Sequence, residues 1–410
     1  MQTIDGIAVF GDPIPEAVEQ IKNCVRAGGD SVAGAALMAD HHIGYAMPIG
    51  GVVAYYDKVS PSGVGYDIAC GNKAVRLDVS PDYARDSIAN IMDRIYRQIA
   101  FGMGGERHDA HTNNIEHELF DDPAWDTDAV AAIYGDREEL RELAQKQLGS
   151  VGSGNHYVDV FIDELDRVWV GVHFGSRGLG HKLASYFVKA GGGKDGMYVD
   201  PVLLDVHSDL GQEYIACMQL AGKYAYAGRD WVCSRVADMI GGTIVEEVHN
   251  HHNFAWRELG PWGDEDYWVI RKGATPCWAG QRGFIGGSMG DDAVIVEGIY
   301  PDNGYEAWPM QQALFSTIHG AGRVMSRTEA AGKYKGWGKK RRKVKDGAIE
   351  WPMVHEWLAA RGGVELRGGG LDEAPQAYKR LEDVLAAHEG TIDILHTLTP
   401  IGVAMAPGKE

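Results

Sequence analysis

The sequence contains no long apolar run. No window approaches the roughly 18 unbroken apolar residues that mark a membrane-spanning helix. The N-terminus also lacks the charged and then apolar segments that make up a secretory signal. We therefore expect a protein that does not associate with a membrane.

Cysteine is scarce and irregularly spaced. The five cysteines form none of the paired spacings of a zinc finger, and their number is odd. This pattern suggests reduced thiols and so predicts a cytoplasmic location. The five are Cys24, Cys70, Cys217, Cys233 and Cys277.

Basic residues are fewer than acidic ones, with 39 Lys and Arg against 58 Asp and Glu. The formal net charge of -19 at pH 7 argues against indiscriminate binding to nucleic acid or to membranes. A local basic patch can override that balance, and Lys333–Lys345 is a basic run interrupted by Trp337 and glycines. This segment is either a solvated surface loop or an arm that follows phosphates and stacks one aromatic ring.

Glycine, by contrast, is abundant. The chain of 410 residues is 45% hydrophobic, which is enough for a globular protein with a sizeable core. Its 55 glycines are nearly twice the usual share of about 7%, and many stand beside His, Asn, Asp or Arg. This arrangement indicates turns that approach a ligand. Because no repeat and no linker divides the chain, we predict one domain over residues 1–410.

Hydrophobic periodicity predicts helices and strands in mixed order, which is an α/β (α+β) fold. The polar stretch from Phe101 to Asp128 is interpreted as a surface excursion; it contains His108, His111 and His117. The predicted helices are Pro15 to Val25, Ile88 to Ile99, about Asp128 to Leu148 and most of residues 200–241. The predicted strands are Val52 to Tyr56, Lys73 to Asp78, Tyr157 to Phe161, Val168 to Val172, Trp268 to Ile270, Ala293 to Val296 and Pro400 to Met405.

Two segments near the N-terminus offer metal-binding side chains. Asp67 and Cys70 are three residues apart in a turn, so a carboxylate and a thiolate can converge on one ion. A buried structural cysteine is the alternative. The tandem His41 and His42, which follow Asp40, either bind a metal or make hydrogen bonds in a turn.

Three further segments carry histidines at junctions between turns and strands. His156 follows a glycine-dense turn, and His173 ends an apolar strand ahead of a glycine–arginine turn, a common place for a site. Taken alone, each would more often be a satisfied core or turn residue than a ligand. His249, His251 and His252 lie within four positions, and we expect at least one of them to bind a metal.

His319 stands before a glycine-bracketed turn, with Arg323 and Arg327 following at helical spacing. Glycines let main-chain N–H groups approach an anion, and arginines match the geometry of phosphate. With a nucleotide in that turn, His319 could attack phosphorus as a nitrogen nucleophile. Taken alone, such a turn is a weak signal and is more often structural.

The ordered set of motifs resembles the RtcB family of GTP- and manganese-dependent RNA ligases, over about residues 38–406. Its members rejoin split tRNA. The motifs are Asp67–Cys70, Asn155–His156, His173 with Ser176–Arg177, His252–Asn253, Gly287–Gly290, His319–Arg323 and Asp372–Lys379.

The resemblance implies an α/β fold with sheets around a deep pocket for two manganese ions. It also implies GTP as cofactor and His319 as the nucleophile that carries GMP. The substrates would be RNA with a 3′-phosphate, or a 2′,3′-cyclic phosphate that is first hydrolysed, and RNA with a 5′-hydroxyl. A need for an activating protein stays open.

The resemblance further assigns roles to individual residues. Cys70 would bridge the two ions, with Asp67 and His156 completing one site and His173 and His252 the other. Arg177, Arg323 and Arg327 would face RNA phosphates. The nucleotide would be surrounded by Asn155, Asp159, Asn253, Gly286, Gly287, Ser288, Met289, Gly320, Ala321, Gly322 and Tyr378.

The departures from the family pattern cluster where the guanine base is expected. Ala293 stands where serine is usual, Met405 where lysine is usual, and Asp159 where glutamate is more frequent. Each lost or shortened polar contact typically weakens discrimination by about 1–3 kcal/mol. Gly286 also replaces a proline.

Three hypotheses follow from these observations. The first is an RNA ligase of this family with an altered base pocket. The second is a nucleotidyl-transferring RNA end-repair relative that uses another nucleotide. The third is a metal-dependent protein that binds RNA ends without ligating them.

Overall fold

The computed structural model describes residues 1–102, 115–260, 265–300, 309–336 and 342–408. The α-helices are α1 Pro15–Gly28, α2 Pro61–Val64, α3 Pro81–Gln98, α4 Asp128–Tyr134, α5 Arg137–Gln147, α6 Arg177–Ala190, α7 Asp209–Ile240, α8 Pro309–Gln312, α9 Arg327–Ala331, α10 Trp351–Ala360 and α11 Leu381–Ala386. None of these helices has the length and apolar character needed to cross a membrane.

The strands alternate with the helices along the chain. They are β1 Gln2–Ile4, β2 Ile7–Val9, β3 Val32–His42, β4 Ile49–Tyr55, β5 Lys58–Val59, β6 Gly71–Leu77, β7 Ala100–Phe101, β8 Ser150–Gly152, β9 Tyr157–Asp163, β10 Val168–Phe174, β11 Leu204–Asp205, β12 Ile244–His251, β13 Asn253–Leu259, β14 Asp266–Lys272, β15 Ala274–Pro276, β16 Arg282–Ile285, β17 Ala293–Gly298, β18 Ser316–Ile318, β19 Lys333–Lys335, β20 Arg342–Lys345, β21 Glu365–Gly369 and β22 Ile392–Pro407. The predicted mixed α/β class is therefore confirmed.

Local sequence signals set several helix ends. The Ser80 hydroxyl accepts from the N–H of Tyr83 at the start of α3, and Ser208 accepts from Gly211 at the start of α7. Such caps satisfy N–H groups that have no partner within the helix. Helix α7 ends at Gly241, whose φ of 87° suits glycine because it has no Cβ.

Two larger sheets organise the structure. The first sheet has strand order β1-β2-β3-β4-β14-β13, and the second has order β12-β6-β10-β9-β22-β17-β16, with β21 beside β22. Neighbouring strands are antiparallel except for the β2–β3 and β21–β22 pairs. Helices α3 and α7 cover one face of the second sheet, with Ile91, Ile95 and Val236 in the buried cluster between them.

The strand register collects polar residues at one end of each sheet. In the second sheet, His173 on β10 lies opposite Asn72 on β6 and Tyr157 on β9, and Met405 on β22 follows beside Tyr157. In the first sheet, β13 begins at Asn253 opposite the last residue of β14. Because His252 lies between β12 and β13, it links the corresponding ends of the two sheets.

Three local predictions need correction. The helix expected over about 128–148 is two helices, α4 and α5, because Gly135 adopts a φ of 78° between them. Residues 319–326 form a turn, and α9 begins only at Arg327, so the two arginines do not share a helix with His319. The excursion from Phe101 to Asp128 is not wholly a surface feature, because Leu119 and Trp125 are buried.

Other predictions fall partly outside the described residues. His108 and His111 lie there, as do Trp337 and residues 339–341 of the basic run. The described parts of that run form an exposed two-stranded hairpin of β19 and β20.

Candidate active site and metal centre

A thiol and two imidazoles converge at the end of the second sheet. The Cys70 sulfur lies 3.6 Å from Nε2 of His156 and 3.5 Å from Nε2 of His173. The three ligand atoms all lie within 4.8 Å of one another, and all three residues are buried. Cysteine and histidine are ligands for a divalent transition metal, so this donor set fits an ion.

The turn that carries Cys70 also supplies a carboxylate. Oδ2 of Asp67 lies 3.0 Å from Nε2 of His156. Burial on its own would raise the pKa of Asp67, but the hydrogen bond and charge of His156 outweigh it and lower the pKa to about 2. The Asp67 carboxylate is therefore ionised, as a ligand for a hard cation must be.

Second partners fix both histidine rings. The Nδ1 of His173 lies 2.5 Å from Oδ1 of Asn72, and the Nδ1 of His156 lies 2.9 Å from the carbonyl oxygen of Val151. With Nδ1 engaged by those oxygens, Nε2 of each ring is directed at Cys70. Burial, followed by the charges of other histidines, holds the pKa of His173 well below its ordinary value.

His252 lies next to this group. Its ring stacks on His173 at 5.0 Å and meets His319 at 4.8 Å between centroids. Its Nδ1 is buried and has no hydrogen-bond partner in the described parts of the chain. Burial and the neighbouring His319 lower its pKa well below the ordinary value, so the ring is neutral. A neutral imidazole among buried donors is a suitable metal ligand.

The other histidines singled out in the sequence have structural contacts. His249 accepts from Nε of Arg229 at 2.8 Å, and His251 lies 2.9 Å from another nitrogen of Arg229. His41 contacts the carbonyl oxygen of Met38 and accepts from a main-chain N–H, which corresponds to the hydrogen-bonding alternative. Of the three clustered histidines, His252 is the one whose ring stacks on His173.

Arg229 holds the main chain next to two of these side chains. Its Nη1 donates to the carbonyl oxygens of Ala69 at 3.0 Å and Phe174 at 2.5 Å. Those two carbonyls adjoin Cys70 and His173 in the chain. The fully buried guanidinium therefore ties together the two segments that carry these ligands.

His319 lies beside His252, and Asp40 orients it. Oδ2 of Asp40 lies 2.6 Å from Nδ1 of His319 and also accepts from the N–H groups of His319 at 3.0 Å and Gly320 at 3.3 Å. Burial alone would raise the pKa of Asp40, but the charge and hydrogen bonds of His319 outweigh it and lower the pKa. In the neutral form of the ring, Nδ1 donates to Asp40 and the lone pair lies on Nε2, on the far side of the ring.

Two glycine-rich turns lie against His319. A Cβ on Gly322 would come within 2.2 Å of the carbonyl oxygen of Asp40, and one on Gly320 within 3.2 Å of the carbonyl oxygen of Gly286. The 320–322 turn therefore packs closely against the 286–289 loop. Closely packed backbone without side chains leaves main-chain groups able to approach a phosphate.

The amides named from the resemblance also reach this centre. Nδ2 of Asn155 lies 3.3 Å from Nε2 of His173. Nδ2 of Asn253 donates to the carbonyl oxygen of Asp67 at 3.2 Å, and its Oδ1 accepts from Gly273 at 2.7 Å. Ser288 is partly exposed, Met289 and Ala321 are buried, and Gly287 packs against the carbonyl oxygen of Asp292.

The strands β9, β17 and β22, which carry the residues expected at the base, are mainly apolar near the 286–289 loop. Asp159 and Tyr157 lie on the same side of β9, and Oδ1 of Asp159 and the hydroxyl of Tyr157 are buried without partners among the described residues. Burial raises the pKa of Asp159 well above its ordinary value. Met289 and Met405 pack with Tyr157, whereas Ala293 lies in a separate apolar cluster with Phe284.

The three arginines expected at phosphates differ in their contacts. Arg177 donates to Ser150 at 3.1 Å and to the carbonyl oxygen of Gly102 at 2.9 Å. Arg323 and Arg327 both bind Glu373 at 2.7 Å, and Arg323 also contacts the Tyr378 hydroxyl at 2.9 Å.

Sequence reasoning missed Asp40 as the partner of His319, Asn72 as the partner of His173, and Glu373. A carboxylate at the end of the apolar run of β3 was one available signal, because such a group is rarely buried without a partner. The partners lie 279, 101 and about 50 residues apart in the chain, so spacing could not reveal them.

Known proteins are similar to this chain over most of its length. Residues 20–406 match the family described as tRNA-splicing ligase RtcB. The tRNA-splicing ligase RtcB of Thermococcus kodakarensis is 30% identical over 90% of this chain and 86% of its own length. RNA-splicing ligases RtcB of Escherichia coli K12 and Mycobacterium tuberculosis are 29% and 32% identical over 89% of this chain, and 88% and 95% of their own lengths. The chain belongs to the RtcB family.

Proposed function

We propose that this protein is an RNA ligase that joins a 3′-phosphate or 2′,3′-cyclic phosphate end to a 5′-hydroxyl end. The observation that supports this most strongly is the placement of His319, oriented by Asp40, beside His252, whose ring stacks on His173 of the Cys70–His156–His173 cluster. An oriented nitrogen nucleophile next to a metal-binding cluster is what phosphoryl transfer through a covalent histidine requires. The names of the relatives point to the same activity.

The proposed metal centre takes two manganese ions. Asp67, Cys70 and His156 would hold one, while Cys70, His173 and His252 would hold the other. The donor set fits, since Cys70 is buried between the two histidines and Asp67 is ionised. When bound, such ions neutralise charge that develops on phosphate oxygens.

GTP is the proposed source of the activating nucleotide. The glycines at 286, 287, 320 and 322 carry no side chain that would separate a phosphate from their main-chain groups, and the 286–289 and 320–322 turns pack against each other. Asn155, Asp159, Asn253, Ser288, Met289, Ala321 and Tyr378 are the proposed surroundings of the nucleotide. Of these, Asp159 fits a base through a buried oxygen that has no partner among the described residues.

His319 performs the first chemical step. Its Nε2 lone pair forms a bond to the α-phosphorus, the bond from that phosphorus to pyrophosphate breaks, and histidine–GMP results. As Nε2 loses its lone pair the ring becomes cationic, and Asp40 stabilises that charge through Nδ1 at 2.6 Å. An oxygen of the RNA 3′-phosphate then bonds to the phosphorus of GMP, and the bond from that phosphorus to Nε2 of His319 breaks. In the last step the 5′-hydroxyl oxygen bonds to the phosphorus of the 3′-phosphate, its proton passes to water, and GMP leaves.

We also propose that the chain acts as one catalytic domain in a reducing, cytoplasmic environment. The side chains of the site come from residue 40 through residue 378, in both sheets. All five cysteines are free thiols.

A ligation assay tests the proposal. RNA with 3′-phosphate and 5′-hydroxyl ends is incubated with the protein, Mn²⁺ and GTP, and product is separated by length. We expect joined RNA with the wild type and none with His319→Ala, whereas the exposed His207→Ala serves as a matched control and should ligate normally. Joined RNA from His319→Ala, or none from the wild type, would refute the proposed function.

A second candidate is the same chemistry with a nucleotide other than GTP. It is favoured by the apolar surroundings of Asp159, with Met289 and Met405 packed against Tyr157. Ligation that proceeds with ATP and not with GTP would replace the first proposal by this one. Binding of RNA ends without ligation under any nucleotide would leave only the non-ligating alternative.

A further inference from the structure

Glu373 is a buried carboxylate that binds two arginines. It is only 3% exposed. Its Oε2 lies 2.7 Å from Nη1 of Arg323, its Oε1 lies 2.7 Å from Nε of Arg327, and Oε2 also accepts from the Tyr378 hydroxyl. Charge-assisted bonds of this kind in a desolvated setting fix the geometry of the side chains that make them.

The two arginines use the carboxylate differently. Arg323 engages all three guanidinium nitrogens, since Nε donates to the carbonyl oxygen of Met325 at 3.0 Å and Nη2 to that of Asp372 at 2.7 Å. Its guanidinium also lies over the Tyr378 ring at 4.8 Å. Arg323 therefore has little capacity left for a ligand and acts as a structural brace.

Arg327 donates a hydrogen bond to Glu373 through Nε alone. Its side chain is 57% exposed, and within the described parts of the chain its Nη1 and Nη2 have no hydrogen-bond partner. The two terminal nitrogens form one edge of a planar fork that matches two phosphate oxygens. The contact with Glu373 fixes the opposite edge and so limits the directions in which the free edge can point.

The free edge lies against the loop that leads to the proposed metal ligand His156. A Cβ on Gly154 would be 3.0 Å from Nη2 of Arg327 and 3.5 Å from Oε1 of Glu373. Gly154 directly precedes Asn155 and His156, which contact His173 and Asp67. The Arg327 guanidinium is thus packed against the loop that supplies the proposed ligand His156.

We infer that Glu373 is a positioning residue that aims the free edge of Arg327 at a phosphate of the RNA, next to the His156 loop. Arg323 then supports this arrangement and does not itself contact the phosphate. The inference rests on the proposed function, because it takes RNA as the substrate. It assigns the recognition of that phosphate to one of the three arginines and adds a carboxylate that orients it.

Equilibrium binding tests this assignment without any need for turnover. Fluorescence anisotropy would give the Kd of one labelled RNA in two forms, with a 3′-phosphate and with a 3′-hydroxyl. Wild type is compared with Arg327→Lys, Glu373→Gln, the double variant and Arg323→Lys. Asp93→Asn is the matched control, because Asp93 binds Arg367 at 2.7 Å in an exposed pair elsewhere on the chain.

We expect Arg327→Lys and Glu373→Gln each to raise Kd for the 3′-phosphate RNA by about tenfold, which corresponds to about 1.4 kcal/mol. The double variant should be no weaker than the weaker single one, because both changes remove the same contact. Loss confined to the 3′-phosphate form identifies the terminal phosphate. An equal loss on both forms identifies an internal phosphate. Asp93→Asn should bind as wild type does.

The inference fails if Glu373→Gln and Arg327→Lys bind both RNAs as wild type does, or if their effects multiply in the double variant. It also fails if Arg323→Lys weakens binding as much as Arg327→Lys. Melting temperatures identify a variant that does not fold, and if Glu373→Gln is such a variant, the comparison of Arg327→Lys with Arg323→Lys decides. Absence of ligation by a wild type that still binds RNA would refute the proposed function alone.

Discussion

Two buried aspartates, Asp40 and Asp159, divide the candidate site into two regions. Asp40 is fully buried, and one of its oxygens accepts from the ring and the main chain of His319, so that its pKa is lowered. Asp159 is 6% exposed, its Oδ1 has no partner among the described residues, and burial raises its pKa. Both regions contain buried polar atoms without partners among the described residues, since Oδ1 of Asp40 and Nδ1 of His252 are also unpartnered. The difference lies in the bonds that are made: Oδ2 of Asp40 already holds the ring and main chain of His319, whereas no side chain is seen to hold Asp159 within the described parts of the chain.

This difference bears on what the chain retains from its family. Hydrogen bonds that orient His319 and the proposed metal ligands exist in the protein by itself, and preorganised groups cost little reorganisation during a reaction. Unpartnered buried groups lower stability, typically by about 1–3 kcal/mol each, unless a bound molecule satisfies them. The chemistry at phosphorus and the choice of base can therefore be tested separately.

The largest expected effect is on the region around Asp40 and His319. Asp40→Asn replaces the acceptor at Nδ1 with a side chain that can donate, which favours the tautomer with its proton on Nε2. We expect the rate of nucleotide transfer to His319 to fall by about 10²–10⁴-fold, as for other oriented histidines. Rapid-quench measurement of the labelled protein gives this rate, and a rate within threefold of wild type would contradict the role of Asp40.

Metal binding should change next. Asn72→Ala removes the oxygen that lies 2.5 Å from Nδ1 of His173. Loss of such an orienting partner typically lowers metal affinity by about 10–100-fold. Calorimetric titration of the metal-free protein with Mn²⁺ measures it. Asn23 donates to Asp200 in an exposed hydrogen bond away from this site, so Asn23→Ala is the control variant. Unchanged affinity in Asn72→Ala would show that the His173 ring is fixed by other contacts.

In the base region, packing couples Gly286 to Tyr157. A Cβ at Gly286 would lie 2.1 Å from the Tyr157 hydroxyl oxygen and 3.1 Å from the ring carbon that carries it. This contact gives a physical reason for glycine at position 286. We expect Gly286→Ala to lower the free energy of unfolding by about 1–3 kcal/mol, and by less in a Tyr157→Phe background.

Denaturant unfolding of the four combinations tests this coupling. Gly283→Ala is the matched control, because its Cβ would make only ordinary contacts at 3.4 Å or more. Equal losses for Gly286→Ala with and without the Tyr157 hydroxyl would contradict the coupling.

The smallest effect is a dependence of stability on pH. Below the ordinary carboxyl pKa of 3.8, Asp159 holds its proton in both the folded and the unfolded chain. Between 3.8 and the raised folded value, only the folded chain keeps the proton, so the free energy of unfolding falls as pH rises. The free energy of unfolding of Asp159→Asn should therefore rise relative to that of wild type by about 1.4 kcal/mol for each pH unit between those two values.

Denaturant unfolding of wild type and Asp159→Asn at several pH values tests whether the free energy of unfolding falls or rises with pH. Asp163→Asn, on the same strand, should behave in the opposite way. Although burial would raise the pKa of Asp163, hydrogen bonds from Trp169 and Arg167 lower it. At neutral pH, Asp163→Asn should have a lower free energy of unfolding than wild type, because it lacks those bonds. In acid the difference should shrink, because wild type loses the same stabilisation when Asp163 becomes protonated. A constant difference between wild type and Asp159→Asn would contradict the raised pKa.

Local chemistry along the sequence was enough to predict part of this site. Asp67 and Cys70 share one turn, and His156 and His173 each lie beside a strand with a clear apolar pattern, so the residues themselves suggested a metal. Register then places His173 opposite Asn72 and next to Tyr157, and no pattern within one segment contains that information. The α/β class followed from periodicity because it needs only local signals.

The missed parts depend on contacts between distant segments. Asp40 lies at the end of an apolar strand and His319 in a turn 279 residues later, and only the packed fold reveals their pairing. Arg323 and Arg327 suggested a helix by spacing, but their contacts with Glu373 and Tyr378 hold a turn instead. Helix propensity is weak beside such tertiary contacts.

The central claim is that His319 becomes covalently bound to GMP. The most direct measurement incubates the protein with Mn²⁺ and α-labelled GTP and counts acid-labile label bound to protein. The account predicts label from GTP on the wild type, its loss in His319→Ala, and a strong reduction in Asp40→Asn. Label that persists in His319→Ala, or no label on the wild type from any nucleotide, would contradict it.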